Sequence, residues 1–406
     1  MSFLGSVGGV SRASATLLRH RAISVTAASA AAVIVAGCAF AATSAHASSQ
    51  GKLVNAGNSK KIATSAAAPA KPLRLLSVSP AGGTRHANGG APITLRFSSA
   101  LSPATPLPTL SPKIAGSWKV SGATATFTPA AGFLPGTPVK LTIPGGKAGM
   151  RGDAGSAGVL AKAATVSFTT GTYSTLRLQQ ILAQLGYLPL TWTPSASGTN
   201  PASLNAEVSA AYDPPAGTFS FKSGYPVQLT SQWRVGKANM LDEGAIRAFE
   251  YNQGLTMDGD AGPQVWSHLL TAAAKDKANP SGYTYALASQ DSPHESLKVW
   301  HDGKVILDTA ANTGIAAADT VDGTFPVYER LQFQIMKGTN PDGTKYADPV
   351  YWIAYFNGGD AVHYFDRASY GYYQSLGCVE IPWTQAKFIW PYLTYGTLVT
   401  VTGPVA

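Results

Sequence analysis

The chain has 406 residues, too long for one ordinary hydrophobic core, so about two to three domains are expected. Its 30 Lys and Arg exceed 21 Asp and Glu to give a net charge of +9, yet no basic run of the kind that grips nucleic acid follows residue 47. Charged residues make up only 13%, against 42 Gly and 27 Pro, which excludes a long-helix architecture and points to a multidomain, mainly β chain of short strands and many turns.

Residues 1–47 read as an export signal. Arg12, Arg19 and Arg21 form a basic start, and no charge occurs from Ala22 to Ala42. Two processing sites compete with an uncleaved membrane anchor. Ala45-His46-Ala47 before Ser48 has the small-x-small cleavage pattern, whereas Val35-Ala36-Gly37-Cys38 resembles a lipobox, making Cys38 a candidate lipidation site. Each alternative places the rest of the chain in the cell envelope, outside the cytoplasmic membrane. Dispersed positive charge suits the anionic polymer of a wall. Residues 48–72, made largely of Ala, Ser, Gly, Asn and Lys, predict a flexible linker.

Over 73–171 short alternating runs recur between Pro and Gly: Ile93 to Phe97, Ala123 to Phe127, Val139 to Ile143 and Thr165 to Phe168. Period-two alternation at this spacing predicts an antiparallel β-sandwich. With Ser79-Pro80, Phe97-Ser98 and Phe168-Thr169-Thr170-Gly171, the segment resembles a bacterial Ig-like domain, which implies a spacer without chemistry. Arg151-Gly152-Asp153 matches a receptor-binding tripeptide at a level that chance supplies.

Residues 172–275 carry three helical stripes: Leu178, Ile181, Leu182 and Leu185 ahead of Gly186; Leu241, Ala245, Ala248 and Phe249; and Val265, Trp266, Leu269 and Leu270 behind Pro263. Together with Leu185-Gly186-Tyr187-Leu188, Gly254-Leu255 and Asp258-Gly259, they resemble a small three-helix peptidoglycan-binding domain. About fifty residues from Pro189 to Asn239 interrupt that pattern. Trp192, Tyr212, Phe219, Phe221, Tyr225 and Trp233 in this insert would either stack on sugar rings or build a satellite core. Residues 276–290, with their Ser, Ala and Gly, predict a linker.

From 291 to 405 the pattern is again β-rich, with hairpins turning at Asp302-Gly303 and at Asn357 to Asp360, and a short helix after Pro382 that runs to Trp390. This places His363 within a strand, fifteen residues before Cys378. A free thiol ionises near pH 8.5, so a neighbouring imidazole is expected to favour the thiolate nucleophile. Asp360 and Asp366 both stand at an odd offset from His363, on the wrong face of a continuing strand, so the carbonyl of Tyr364 is the expected acceptor for the ring's other nitrogen. Gly377 lets the backbone approach a substrate, and the N–H groups of Gly377 and Cys378 are natural oxyanion donors. His86, His268, His294 and His301 are isolated, and no phosphate-binding glycine loop occurs, so neither metal nor cofactor is called for.

The residues Trp300-x-Asp302-Gly303, Gly323 to Tyr328, Met336, Gly343, Tyr346, Tyr355-Phe356, His363, Tyr370-Gly371 and Ser375-Leu376-Gly377-Cys378-Val379 resemble the catalytic domain of L,D-transpeptidases. That resemblance implies an acyltransferase of peptidoglycan biosynthesis that acts on stem peptides and releases D-alanine through a cysteine thioester. It implies Cys378 as nucleophile, His363 as base, Ser375 as a supporting hydroxyl, Gly377 at the oxyanion hole, and Met336, Tyr346 and Tyr364 along the substrate channel. Two positions depart from the family's commonest signature: Leu376 stands where His is usual, and Glu380 where Arg is usual. Reshaped substrate contacts are expected there. The alternatives are a carboxypeptidase-type thiol hydrolase that trims stems and a wall-binding protein with an inert cysteine.

Overall fold

The computed structural model describes residues 71–153, 158–196, 201, 203–291 and 293–404. The export signal, Cys38 and most of the 48–72 linker lie outside the described residues. No described helix is long and apolar enough to cross a membrane.

The first sandwich comprises β1 (Leu75–Ser79), β2 (Ile93–Phe97), β3 (Thr109–Ser111), β4 (Gly116–Ser121), β5 (Thr124–Pro129), β6 (Pro138–Ile143) and β7 (Ala164–Thr169). One sheet runs β1-β2-β5-β4 and the other β3-β6-β7, all antiparallel. Alternation explains the layers. Val139, Leu141 and Ile143 are buried between exposed Pro138, Lys140 and Thr142, and they meet Leu95 and Phe127 of the facing sheet in one core.

The next region holds α1 (Thr175–Gln184), β8 (Leu190–Pro194), α2 (Leu204–Tyr212), β9 (Gly217–Phe221), α3 (Val227–Thr230), α4 (Met240–Gln253) and α5 (Pro263–Ala274). Its ends are written in the sequence. The Ser174 hydroxyl caps α1, Asn239 and Asp242 form a reciprocal capping box on α4, Gly254 ends α4 in the left-handed region, and Pro263 starts α5. The insert folds back as the β8–β9 hairpin, with Trp192 opposite Phe219. Trp192 is buried, and Tyr212, Phe219, Phe221, Tyr225 and Trp233 pack on the same cluster. These rings build core, not a sugar platform.

Two contacts fix α2. A wholly buried Arg177–Glu207 ion pair of 2.6 Å ties it to α1, and Asn88 and Tyr212 bridge it to the sandwich, the Asn88 amide donating to the Ser209 carbonyl at 3.0 Å and the Tyr212 hydroxyl to that of Phe133 at 2.8 Å. Gly90 rests directly on the Ser209 backbone, an approach that any side chain would block.

The last region contains β10 (Thr284–Ser289), β11 (Ser296–His301), β12 (Lys304–Ala310), β13 (Thr313–Gly314), β14 (Gly323–Pro326), β15 (Glu329–Thr339), β16 (Lys345–Asn357), β17 (Asp360–Tyr364), β18 (Tyr373–Ser375), β19 (Val379–Ile381), α6 (Trp383–Ile389) and β20 (Leu398–Thr402). A five-stranded sheet, β12-β11-β10-β20-β14, packs on a four-stranded sheet, β15-β16-β17-β19, with Ala286, Val299 and Val399 meeting Ala354, Val362 and Val379. Residues 276–290 are therefore not simply a linker: β10 occupies the middle of the five-stranded sheet, parallel to β20. It is covered on both sides. Ala286 and Ala288 face the second sheet, while Tyr285, with Trp300 and Leu398, enters the same core as the helices. The polar alternation that marks a half-exposed strand is consequently missing.

Candidate active site

Strands β17 and β19 run parallel, with Val362 opposite Val379 and His363 opposite Glu380. Facing residues of parallel strands project to the same side, so His363 and Glu380 share a face, and one rung back the register sets Cys378 beside Ala361 on that face. The long β15–β16 hairpin supplies the opposite wall through Met336, Tyr346 and Asp348. Between them lies a cleft of about 440 Å³ whose lining includes both His363 and Cys378. A larger cavity of about 560 Å³ sits between the sandwich and the helices, around Leu134, Tyr173 and Trp266, and its wall holds no acid, strong base or thiol.

The imidazole is buried, at 2% exposure, and its Nδ1 lies 3.0 Å from the Tyr364 carbonyl. A carbonyl only accepts, so Nδ1 carries the proton and Nε2 keeps a lone pair. Burial lowers the pKa of His363; the Tyr364 carbonyl and the Glu380 charge push it back up, and Arg367 lowers it. The ring therefore rests neutral, with Nε2 free to accept a proton.

Cys378 is half-buried as a residue at the cleft, its sulfur 3.8 Å from the Gly359 carbonyl. Enclosure by protein pushes its pKa up to about 12; the Ala361 N–H offsets part of this, and the charges of Asp360 and Glu380 add to it. This direction runs against the expected resting thiolate. Withdrawing a sulfur anion from water costs more than one N–H returns, so the surroundings favour a neutral thiol beside a neutral imidazole.

Loop 366–377 brings the remaining motif residues to the thiol. The buried Ser375 hydroxyl donates to the Cys378 carbonyl at 2.6 Å, bracing the turn. Gly377 has φ +105, which only glycine adopts without strain, and the Asp360 carboxylate fills the place of its absent side chain. Met336 and Tyr346 line the cleft as expected positions for substrate contact. The Tyr364 ring does not. Alternation along β17 turns it to the other face, edge-on to Trp383 at 4.9 Å between centroids, so Tyr364 serves the site through its carbonyl alone.

Sequence reasoning missed Arg367 and Asn312. The Arg367 fork grips Glu380 with two bonds of 2.7 Å, Nε to Oε2 and Nη2 to Oε1. Buried Asn312 donates to Glu380 at 3.3 Å and accepts from the Gly371 N–H at 3.0 Å and the Gln374 amide at 2.9 Å. The signal was faint: a single carboxylate between Val379 and Ile381, in a strand whose three residues are all buried. Among the described residues, no three His, Cys, Asp or Glu side chains converge as a metal site.

Residues 284–401 match the family model of the L,D-transpeptidase catalytic domain, and residues 69–170 that of a bacterial Ig-like domain. No curated protein matches the chain. Among solved structures, an L,D-transpeptidase from Mycobacterium smegmatis is 15% identical over 82% of this chain and 100% of that one, with a TM-score of 0.27. The catalytic domain of an E. faecium L,D-transpeptidase is 29% identical over 29% of this chain and 96% of that one, with a TM-score of 0.27. An L,D-transpeptidase from Stackebrandtia nassauensis is 21% identical over 44% and 88%, with a TM-score of 0.24. The chain carries an L,D-transpeptidase catalytic domain together with a bacterial Ig-like domain.

Proposed function

We propose that the protein is an envelope acyltransferase that cross-links peptidoglycan stem peptides through a thioester on Cys378. The observation that carries this reading is the pairing of β17 with β19, which sets a neutral imidazole and a thiol on one face of one cleft. As the sulfur attacks the donor carbonyl, its proton passes to Nε2 of His363 and the oxyanion faces the N–H groups of Gly377 and Cys378. Collapse breaks the C–N bond to D-alanine, which leaves with the proton from His363. An acceptor amine then attacks the thioester, gives its proton through His363 to the departing sulfur, and restores the neutral pair. The Ig-like domain acts as a spacer and the helical region grips glycan or stem peptide. Export, by cleavage after Ala47, by lipidation of Cys38 or with an uncleaved anchor, belongs to the same reading, and the mass of the mature N-terminus tests it.

The decisive experiment incubates the full chain with a tetrapeptide stem. Cross-linked dimers, free D-alanine and an acyl adduct on Cys378, all abolished in Cys378→Ala, are expected, and a carbapenem should label the same sulfur. Tripeptide without dimers would instead establish the hydrolase.

A further inference from the structure

The two positions of the motif that changed character do not stand alone, because Glu380 is joined by a cation from elsewhere in the chain. Glu380 is 4% exposed and sits on the rung opposite His363. A bare carboxylate there would draw a proton onto the imidazole and occupy the lone pair that must receive the thiol proton. Arg367 approaches from loop 366–377 and answers it with a bidentate fork, stacked over the Phe365 ring at 4.6 Å.

We propose that Arg367 and Glu380 are positioning residues acting as a matched charge pair, each cancelling the other's effect on the proton affinity of His363, so that the ring is free to act as base. The inference rests on His363 being the base of the proposed reaction. The two charges act on the imidazole with opposite sign, Glu380 raising its pKa and Arg367 lowering it. The other groups that face the ring's cleft are Asp348 and Tyr346 from β16, Asp360 at the start of β17, and the thiol of Cys378. None of these makes a bidentate contact with Glu380. A plain loop latch would make a different prediction. It would be broken equally by loss of either partner, whereas a charge pair fails in opposite directions.

The test is an NMR titration of the His363 imidazole in the full chain, its signal assigned through His363→Asn. Arg367→Gln is expected to raise the midpoint, and Glu380→Gln to lower it, each by about half a pH unit or more. The double variant, with neither charge, should return to the wild-type midpoint. Singles that move together, or a double variant that does not return, would overturn the pair. Should Arg367→Gln not fold, Glu380→Gln decides alone: an unchanged or raised midpoint sinks the idea. The titration needs no substrate. Absence of a stem-peptide thioester in the wild type would therefore strike the proposed reaction, and an unshifted midpoint beside an intact thioester would strike only the charge pair.

Discussion

The carboxylate of Asp360 occupies the space that a side chain on Gly377 would need, one residue before the thiol. Gly377→Ala must both enter a φ of +105 and displace that carboxylate. A loss of about 1–3 kcal/mol of stability is expected, together with at least a tenfold drop in Cys378 acylation. Denaturant unfolding and intact-mass spectrometry measure the two. A variant that acylates at the wild-type rate would remove Gly377 from the oxyanion site.

Asp360 also sets a pH dependence. Burial pushes its pKa up to about 6, and above that pH its charge raises the pKa of Cys378. Asp360→Asn is therefore expected to alkylate faster than wild type at pH 8, with the difference closing near pH 5, where the native carboxyl is already neutral. Iodoacetamide rates at the Cys378 peptide check this. A slower variant at pH 8 contradicts it.

Stability should fall from pH 5 to pH 8. Burial raises Asp242 and Glu250 to about 7, and it also raises Glu207 and Glu295. Each of these acids binds its proton more tightly folded than unfolded, so its contribution is complete below the unfolded carboxyl pKa of about 4 and is lost as pH rises through the folded value. His363, lowered by burial, acts the other way below its unfolded value of about 6.5, but it is one group against five, since Asp360 is raised as well. Thermal unfolding across this range tests the sign, and Asp242→Asn should flatten the slope.

The helices and the five-stranded sheet share one core through Tyr285, Trp300 and Leu398. A fragment beginning at residue 276 would expose all three side chains, each worth about 1.5–3 kcal/mol when buried. It should aggregate or bind hydrophobic dyes where the fragment from residue 172 does not. Equal solubility of the two fragments would show that the shared core is dispensable.

Much of this was readable in the sequence. Period-two runs on either side of Asn357 to Asp360 fixed the hairpin that carries His363, and the odd offset of Asp360 and Asp366 directed its Nδ1 to the Tyr364 carbonyl. Gly186 and Pro263 marked the end of α1 and the start of α5 for the same local reason, whereas α2 and α3 in the insert were not foreseen. What escaped depended on neighbours distant in the chain. Strand β10 reads as a linker because both of its faces are covered, and Arg367 meets Glu380 only once loop 366–377 has closed. The resting protonation of Cys378 likewise follows from enclosure, which spacing does not encode.

A sulfur that keeps its proton at rest has one more consequence. Peroxides and small disulfides capture the anion, and desolvation of Cys378 disfavours that form. The same desolvation therefore slows sulfenic acid formation at Cys378, because oxidants and a substrate carbonyl both need the anion that the surrounding protein disfavours.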